Sequence, residues 1–169
     1  MKTKGPNRPE PAKYPEDSVA RTTEMVLPQH TNNLGAIFGG VLMSWIDIAA
    51  AVAAARHSGR TCVTASIDQL HFLQPIRKGY VVNIEARLTA VHNTSCEVMV
   101  DVVGENLLTG ERFRTAQAFL TFVALNDENR PVPMPPLKAK TDKERQLMEQ
   151  AMVRRKHRIQ LKRALEKVK

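Results

Sequence analysis

At 169 residues, 43% of them apolar, the chain is long enough to form one domain with a real core. Its formal net charge of +8 is unevenly placed: residues 138 to 169 hold 12 Lys and Arg against 4 Asp and Glu, leaving 13 against 13 in residues 1 to 137. A neutral body with a basic tail argues against a nucleic-acid-binding domain, which would be basic throughout. The two cysteines, Cys62 and Cys96, lack metal-ligand spacing, and the opening Met-Lys-Thr-Lys-Gly-Pro has no apolar signal stretch; both favour a reduced, cytoplasmic setting.

Met1 to Tyr14 is Pro- and Lys-rich with almost nothing to bury, and residues 1 to 17 are expected to form a disordered arm. Ser18 to Leu27 reads as a first strand, stopped by Pro28. A loop from Gln29 to Gly35 then leads into a long helix that closes on Ser58-Gly59-Arg60, a Gly after a basic last turn.

This helix is apolar on nearly every side, with Val41, Leu42, Met43, Trp45, Ile46 and Ile48 followed by alanines to Ala55, and so reads as a helix enclosed by protein. The run is broken by Asp47 and is expected to be too short to span a bilayer. A carboxylate there needs a partner or a task. Either it is a structural group bonded to a Thr or Arg, or it does chemistry. The helix start carries a second signal: Gly39 and Gly40 open it without a Ser, Thr, Asp or Asn cap, so its first N–H groups are available to a carbonyl or an anion. Gly40 and Asp47 lie two turns apart on one face, about 10 Å along the axis at about 1.5 Å per residue.

Four strands follow. Thr61 to Phe72 alternates through Val63, Ala65 and Ile67, and Tyr80 to His92 places Val82, Ile84, Ala86, Leu88 and Ala90 on one face. Cys96 to Glu105 alternates through Val98, Val100 and Val102, and Glu111 to Leu125 is the longest. With no second helix to make parallel crossovers, the expected fold is α+β, a curved antiparallel sheet wrapped around one helix. Beyond residue 137, Asp142 to Val168 has good helix formers and few breakers, giving a basic helical tail over residues 138 to 169.

Five stretches carry a family resemblance: His30 to Gly40, Ser44-Trp45-Ile46-Asp47, Val63 to Asp68, Phe72-Leu73-Gln74-Pro75-Ile76, and Thr121 to Leu125. In this order they resemble the hotdog-fold acyl-CoA thioesterases, in particular the bacterial and brain-type acyl-CoA hydrolase group. The resemblance covers Ser18 to Pro136, so the domain is expected to span residues 18 to 137, and nothing is carried over to the tail.

The resemblance implies hydrolysis of acyl-CoA to a free acid and coenzyme A; the alternative is a non-catalytic acyl-CoA-binding or sensing protein of the same fold. It implies that Asp47 is catalytic, that Asn32 completes the site from a partner subunit, and that the Gly40 N–H polarises the thioester carbonyl. Phe38, Gly39, Thr64, Ser66, Arg77 and Lys78 are the expected substrate contacts. It further implies a homodimer assembled into a trimer of dimers, coenzyme A as part of the substrate, and no separate cofactor, metal or nucleic acid. From the residues alone, Asn32 could simply shape its turn and Gly39-Gly40 could simply permit close packing. Arg56, Arg60, Arg77, Lys78, Arg112 and Arg114 are candidates for the coenzyme A phosphates because they stand at strand or helix ends.

Overall fold

The computed structural model describes residues 11 to 167. Five strands form one antiparallel sheet: β1 (Ala20–Met25), β2 (Thr61–Phe72), β3 (Val81–Val91), β4 (Ser95–Glu105) and β5 (Arg112–Leu125), in the order β1-β3-β4-β5-β2. Turns join β3, β4 and β5 into a meander, whereas β1 and β2, neighbours in the chain, lie at opposite edges. The connection between them must therefore cross the whole sheet, and it carries α1 (Gly39–Ser58) over the concave face.

Alternation explains the core. Val82, Ile84, Ala86 and Leu88 of β3, Val98, Val100 and Val102 of β4, and Ala116, Ala118, Leu120, Phe122 and Ala124 of β5 turn inward against Leu42, Ile46, Ala49, Ala50, Ala53 and Ala54 of α1. The alanines let the helix backbone approach the sheet closely. The expected inward run along β3 ends one residue early, because a register shift at Thr89 takes Ala90 out of the core cluster and brings Val91 onto it.

Two expectations for α1 change. At 20 residues it is long and apolar enough to cross a membrane by length and composition, yet in this fold its alanine face is packed on the sheet. Nor is it enclosed: Met43, Ile48 and Val52 are exposed, as are Val63 and Ile67 on the neighbouring edge strand β2. The alternating set Val63, Ala65, Ile67 does not face the core, and register shifts around Ala65 and Asp68 interrupt the pairing of β2 with β5.

The helix ends are fixed by different chemistry. Gly59 takes φ +65°, the left-handed conformation that a helix stop of this kind requires. Lys13 donates from Nζ to the carbonyls of Arg56 and His57 at 2.9 and 2.7 Å, placing its positive charge at the negative end of the helix. The disordered arm expected up to residue 17 therefore needs correction. Lys13 pairs with Leu137, and Pro15–Ser18 forms a short 3-10 helix with Pro15 and Ser18 buried. The part of that expectation covering residues 1 to 10 lies outside the described residues.

The tail forms α2 (Asp142–Glu166), started by Thr141, which accepts from the Glu144 N–H while Glu144 accepts from the Thr141 N–H. It lies on the outer face of the sheet. There Arg154 donates to Glu97 through Nε and Nη2, at 3.1 and 2.7 Å, and its guanidinium sits 3.8 Å from the centre of the Phe119 ring. Arg158 pairs with Asp68 of β2. Residues 160 to 167 are all exposed.

Candidate active site

The loop before α1 is built on Asn32. Its Oδ1 accepts from the N–H groups of Leu34 and Ala36 at 2.9 and 3.3 Å, and Gly35 turns the chain at φ +72°. Ile37 and Phe38 then anchor the loop to the body, donating to the carbonyls of Ile76 and His30, both at 2.8 Å. The expectation that Asn32 shapes the turn is met by Oδ1; its Nδ2 has no protein partner among the described residues.

Phe38 is the residue before α1 and gives no side-chain cap. Its carbonyl accepts from Val41 and Leu42, at 3.0 and 3.2 Å, so the free donors at the helix mouth belong to Gly39 and Gly40. Both glycines also permit packing. A Cβ on Gly40 would stand 2.7 Å from the Phe38 ring, and one on Gly39 would touch the Phe72 ring at 3.6 Å. These aromatic rings occupy the space that side chains would take, and the N–H groups stay uncovered by any cap.

Two turns further along, Asp47 is half-buried on the open side of α1. Thr64 of β2 donates to its Oδ1 at 2.7 Å. Oδ2 has no protein partner among the described residues. A single hydroxyl donor orients the carboxylate without neutralising it, which leaves one oxygen able to act on a proton or a carbon.

A cleft of about 510 Å³ opens beside the helix mouth, lined by Asn32, Gly39, Leu42, Phe72, Arg77 and Thr115 among others. The fold thus gathers Asn32, Gly39 and Arg77 in one place and Asp47 with Thr64 in another. Lys78 is exposed, and its N–H holds the loop through the Gly35 carbonyl at 3.1 Å. Ser66 is not brought to the cleft; it donates to Asp68 at 2.9 Å and faces the groove under α2. Of the other cationic candidates, Arg56 donates to the Val19 carbonyl, Arg112 pairs with Glu105 and Arg114 with Asp101, so these three are engaged in structural contacts.

Comparison with known proteins bears on what this geometry is for. Residues 34 to 111 match the family model of the thioesterase superfamily. A Bacillus subtilis protein named as an uncharacterized acyl-CoA thioester hydrolase is 44% identical over 151 residues, covering 89% of this chain and 88% of that one. The chain belongs to the hotdog-fold acyl-CoA thioester hydrolases. An apo hexameric acyl-CoA thioesterase superposes with a TM-score of 0.86 at 40% identity, over 90% of this chain and 97% of that one. The acyl-CoA hydrolase of Staphylococcus aureus, solved with butyryl coenzyme A, coenzyme A and its disulfide, gives 0.83 at 33% identity, over 94% of this chain and 99% of that one.

Within this thioester hydrolase, two cleft residues escape the sequence reading. Phe72 reads as the end of a strand and the start of one resemblance stretch but not as a cleft residue, and Thr115 reads as one more β-branched residue in β5. The apolar run around Phe72 before Pro75 was a usable signal; for Thr115 there was none.

Proposed function

We propose that this protein hydrolyses acyl-CoA thioesters to a carboxylic acid and coenzyme A, with Asp47, Asn32 and the Gly40 N–H as the catalytic groups. The observation that carries the reading is Asp47, held by Thr64 on the open face of α1 and leaving Oδ2 free, two turns from the uncapped glycines. Attack on the thioester carbonyl places negative charge on its oxygen. Preorganised N–H donors at a helix start stabilise that charge by about 3 to 4 kcal/mol each. Asp47 either takes the proton from an attacking water or attacks the carbonyl itself, giving a mixed anhydride that water then opens. In both routes the sulfur leaves as thiolate and is protonated to coenzyme A.

Spacing in a relative supports the assignment. In the Staphylococcus aureus hydrolase, an Asn, an Asp and a Thr were each replaced by Ala, at positions separated by 15 and then 17 residues. Asn32, Asp47 and Thr64 have the same two separations.

The complete site forms between two copies of the chain. β2 is a 12-residue edge strand with exposed apolar side chains, beside an α1 face that exposes Met43, Ile48 and Val52. Such an edge invites pairing with a second chain. Pairing there would cover this face and bring Asn32 of one copy toward Asp47 of the other, and a trimer of such dimers would match the hexameric relative. On this reading the catalytic body is residues 18 to 137, the setting is cytoplasmic, and no cofactor beyond the coenzyme A of the substrate takes part.

The test is release of coenzyme A thiol, followed with a thiol-trapping reagent, across acyl-CoA chain lengths. Thiol release in proportion to enzyme is the expected result. Binding of acyl-CoA without thiol release would mark a binding or sensing protein and overturn the proposal.

A further inference from the structure

The floor of the cleft holds a polar group that neither the thioester nor the coenzyme A accounts for. Ile37, Leu42 and Thr115 are the buried members of the lining, whereas Leu34, Phe72 and Leu73 form an exposed apolar rim. Thr115 is 1% exposed, and its Oγ1 has no hydrogen-bond partner among the described residues. A buried hydroxyl left unsatisfied costs free energy, so its presence among apolar neighbours calls for an explanation.

Its position comes from a break in the sheet. Val102 pairs with Ala116 and Val103 with Arg114, so Thr115 is the extra residue on β5 and has no partner on β4. Without the bulge, alternation would place it on the outer face beside Gln117; with it, Thr115 and Ala116 are both buried. Gly104 on β4 leaves room for both the Phe113 ring and the hydroxyl. A Cβ on Gly104 would stand 3.0 Å from Thr115 Oγ1 and 2.7 Å from the Phe113 ring. The Thr115 carbonyl meanwhile accepts from Leu73 at 2.7 Å, tying the bulge to the rim.

We propose that Thr115 is a specificity residue: its hydroxyl selects acyl groups that carry a hydroxyl or keto oxygen over saturated acyl groups of the same length. The inference rests on the cleft being the acyl end of the thioesterase site. The thioester carbonyl sits at the Gly39-Gly40 mouth, and Leu42 lies one helical turn deeper, about 4.5 Å at about 1.5 Å per residue. The floor is therefore within reach of a short acyl group. A hydroxyl can donate or accept, so it serves either kind of oxygen. A saturated chain would seal it off unpaired, and a site built to bond an oxygen discriminates against the analogue lacking one.

The experiment compares kcat/KM for butyryl-CoA with that for 3-hydroxybutyryl-CoA and 4-hydroxybutyryl-CoA, using thiol release by the wild-type chain, Thr115→Val and Thr115→Ser. The ratio of hydroxyacyl to saturated substrate is expected to fall about tenfold in Thr115→Val for at least one hydroxyacyl probe, and to hold in Thr115→Ser. If the Val variant does not fold, Thr115→Ala removes the hydroxyl without adding bulk beside Gly104. Ratios unchanged for both probes in a folded variant without the hydroxyl would overturn the inference while leaving the thioesterase reading intact. A wild-type chain that releases no thiol from these three substrates but does so from longer acyl-CoAs would also overturn the inference, whereas no thiol release at any chain length would sink the thioesterase reading itself.

Discussion

The two helices lie on opposite faces of one sheet and are held there by opposite means. α1 buries Leu42, Ile46 and four alanines against the inward side chains of β3, β4 and β5, so its attachment is apolar and spread over its length. α2 buries only Ala151 and is fastened at points, by Arg154 on Glu97 and Arg158 on Asp68. A spread attachment can give up one position to chemistry, because its neighbours still hold the helix. A point attachment cannot, since each lost contact strands a charge.

On the proposed mechanism Asp47 is the position that α1 gives up to chemistry, and Asp47→Asn tests it with the largest expected effect. The amide keeps the size and the Thr64 contact but cannot take a proton or attack a carbonyl. Hydrolysis should fall by about 10³-fold, within the span typical for removing a general base. Thermal stability and acyl-CoA binding should stay close to wild type, since no core contact is lost. Near wild-type turnover in a folded Asp47→Asn chain would show that the carboxylate is structural after all.

Arg154→Ala breaks the other helix at its anchor. Glu97 is 2% exposed and receives hydrogen bonds from Arg154 and, at 2.6 Å, from Thr89. Removing the guanidinium leaves a buried carboxylate facing only a hydroxyl, a loss of about 3 to 5 kcal/mol when one partner of a buried pair is deleted. The double variant Arg154→Met with Glu97→Leu, which removes both charges and keeps the volume, should recover most of that loss. Urea unfolding of the single and double variants separates the two cases. Equal stability of Arg154→Ala and wild type would mean that α2 is not held through this pair.

The same contrast explains which features were legible in the sequence. Spread, periodic features could be read: the strands were recoverable from alternation bounded by Pro and Gly, and α1 from its Gly-Gly start and Gly59 stop. Asp47 could be read because a charge in an apolar run stands out. Point features could not. Glu97 and Arg154 are 57 residues apart in the chain, and nothing in either neighbourhood marks the other as partner. The bulges at Thr89 and Thr115 shift the phase of an alternation that continues unbroken in the sequence, which is why alternation puts Ala90 on the same face as Leu88 and gives no sign of Thr115. The open side of α1 was hidden for a related reason. A helix apolar all round looks enclosed whether its second face meets its own chain or another copy.

A smaller effect is expected where the two kinds of attachment meet, at His57 in the last turn of α1. The ring is fully buried, and Nε2 lies 2.9 Å from the Pro135 carbonyl. A carbonyl only accepts, so Nε2 carries the proton, and Nδ1 is left buried without a partner among the described residues. Burial holds the His57 pKa below its usual value of 6.5; the Pro135 bond opposes the shift, the Lys13 ammonium adds to it, and Asp17 weakly opposes it. The unfolded chain therefore binds a proton here more readily than the folded one. Above pH 6.5 both forms are neutral and the contribution to stability is complete; it is lost as pH falls from 6.5 toward the lower folded value. His57→Gln keeps an N–H donor for Pro135 but does not titrate. It should cost on the order of 1 kcal/mol at pH 7.5, and its thermal midpoint should fall less than that of wild type between pH 7 and pH 5. Parallel declines in the two proteins would show that His57 is not the source of the acid sensitivity in this range; Glu105, whose pKa is lowered by hydrogen bonds from Arg112 and Asn83, gives up its contribution only below the ordinary carboxylate pKa.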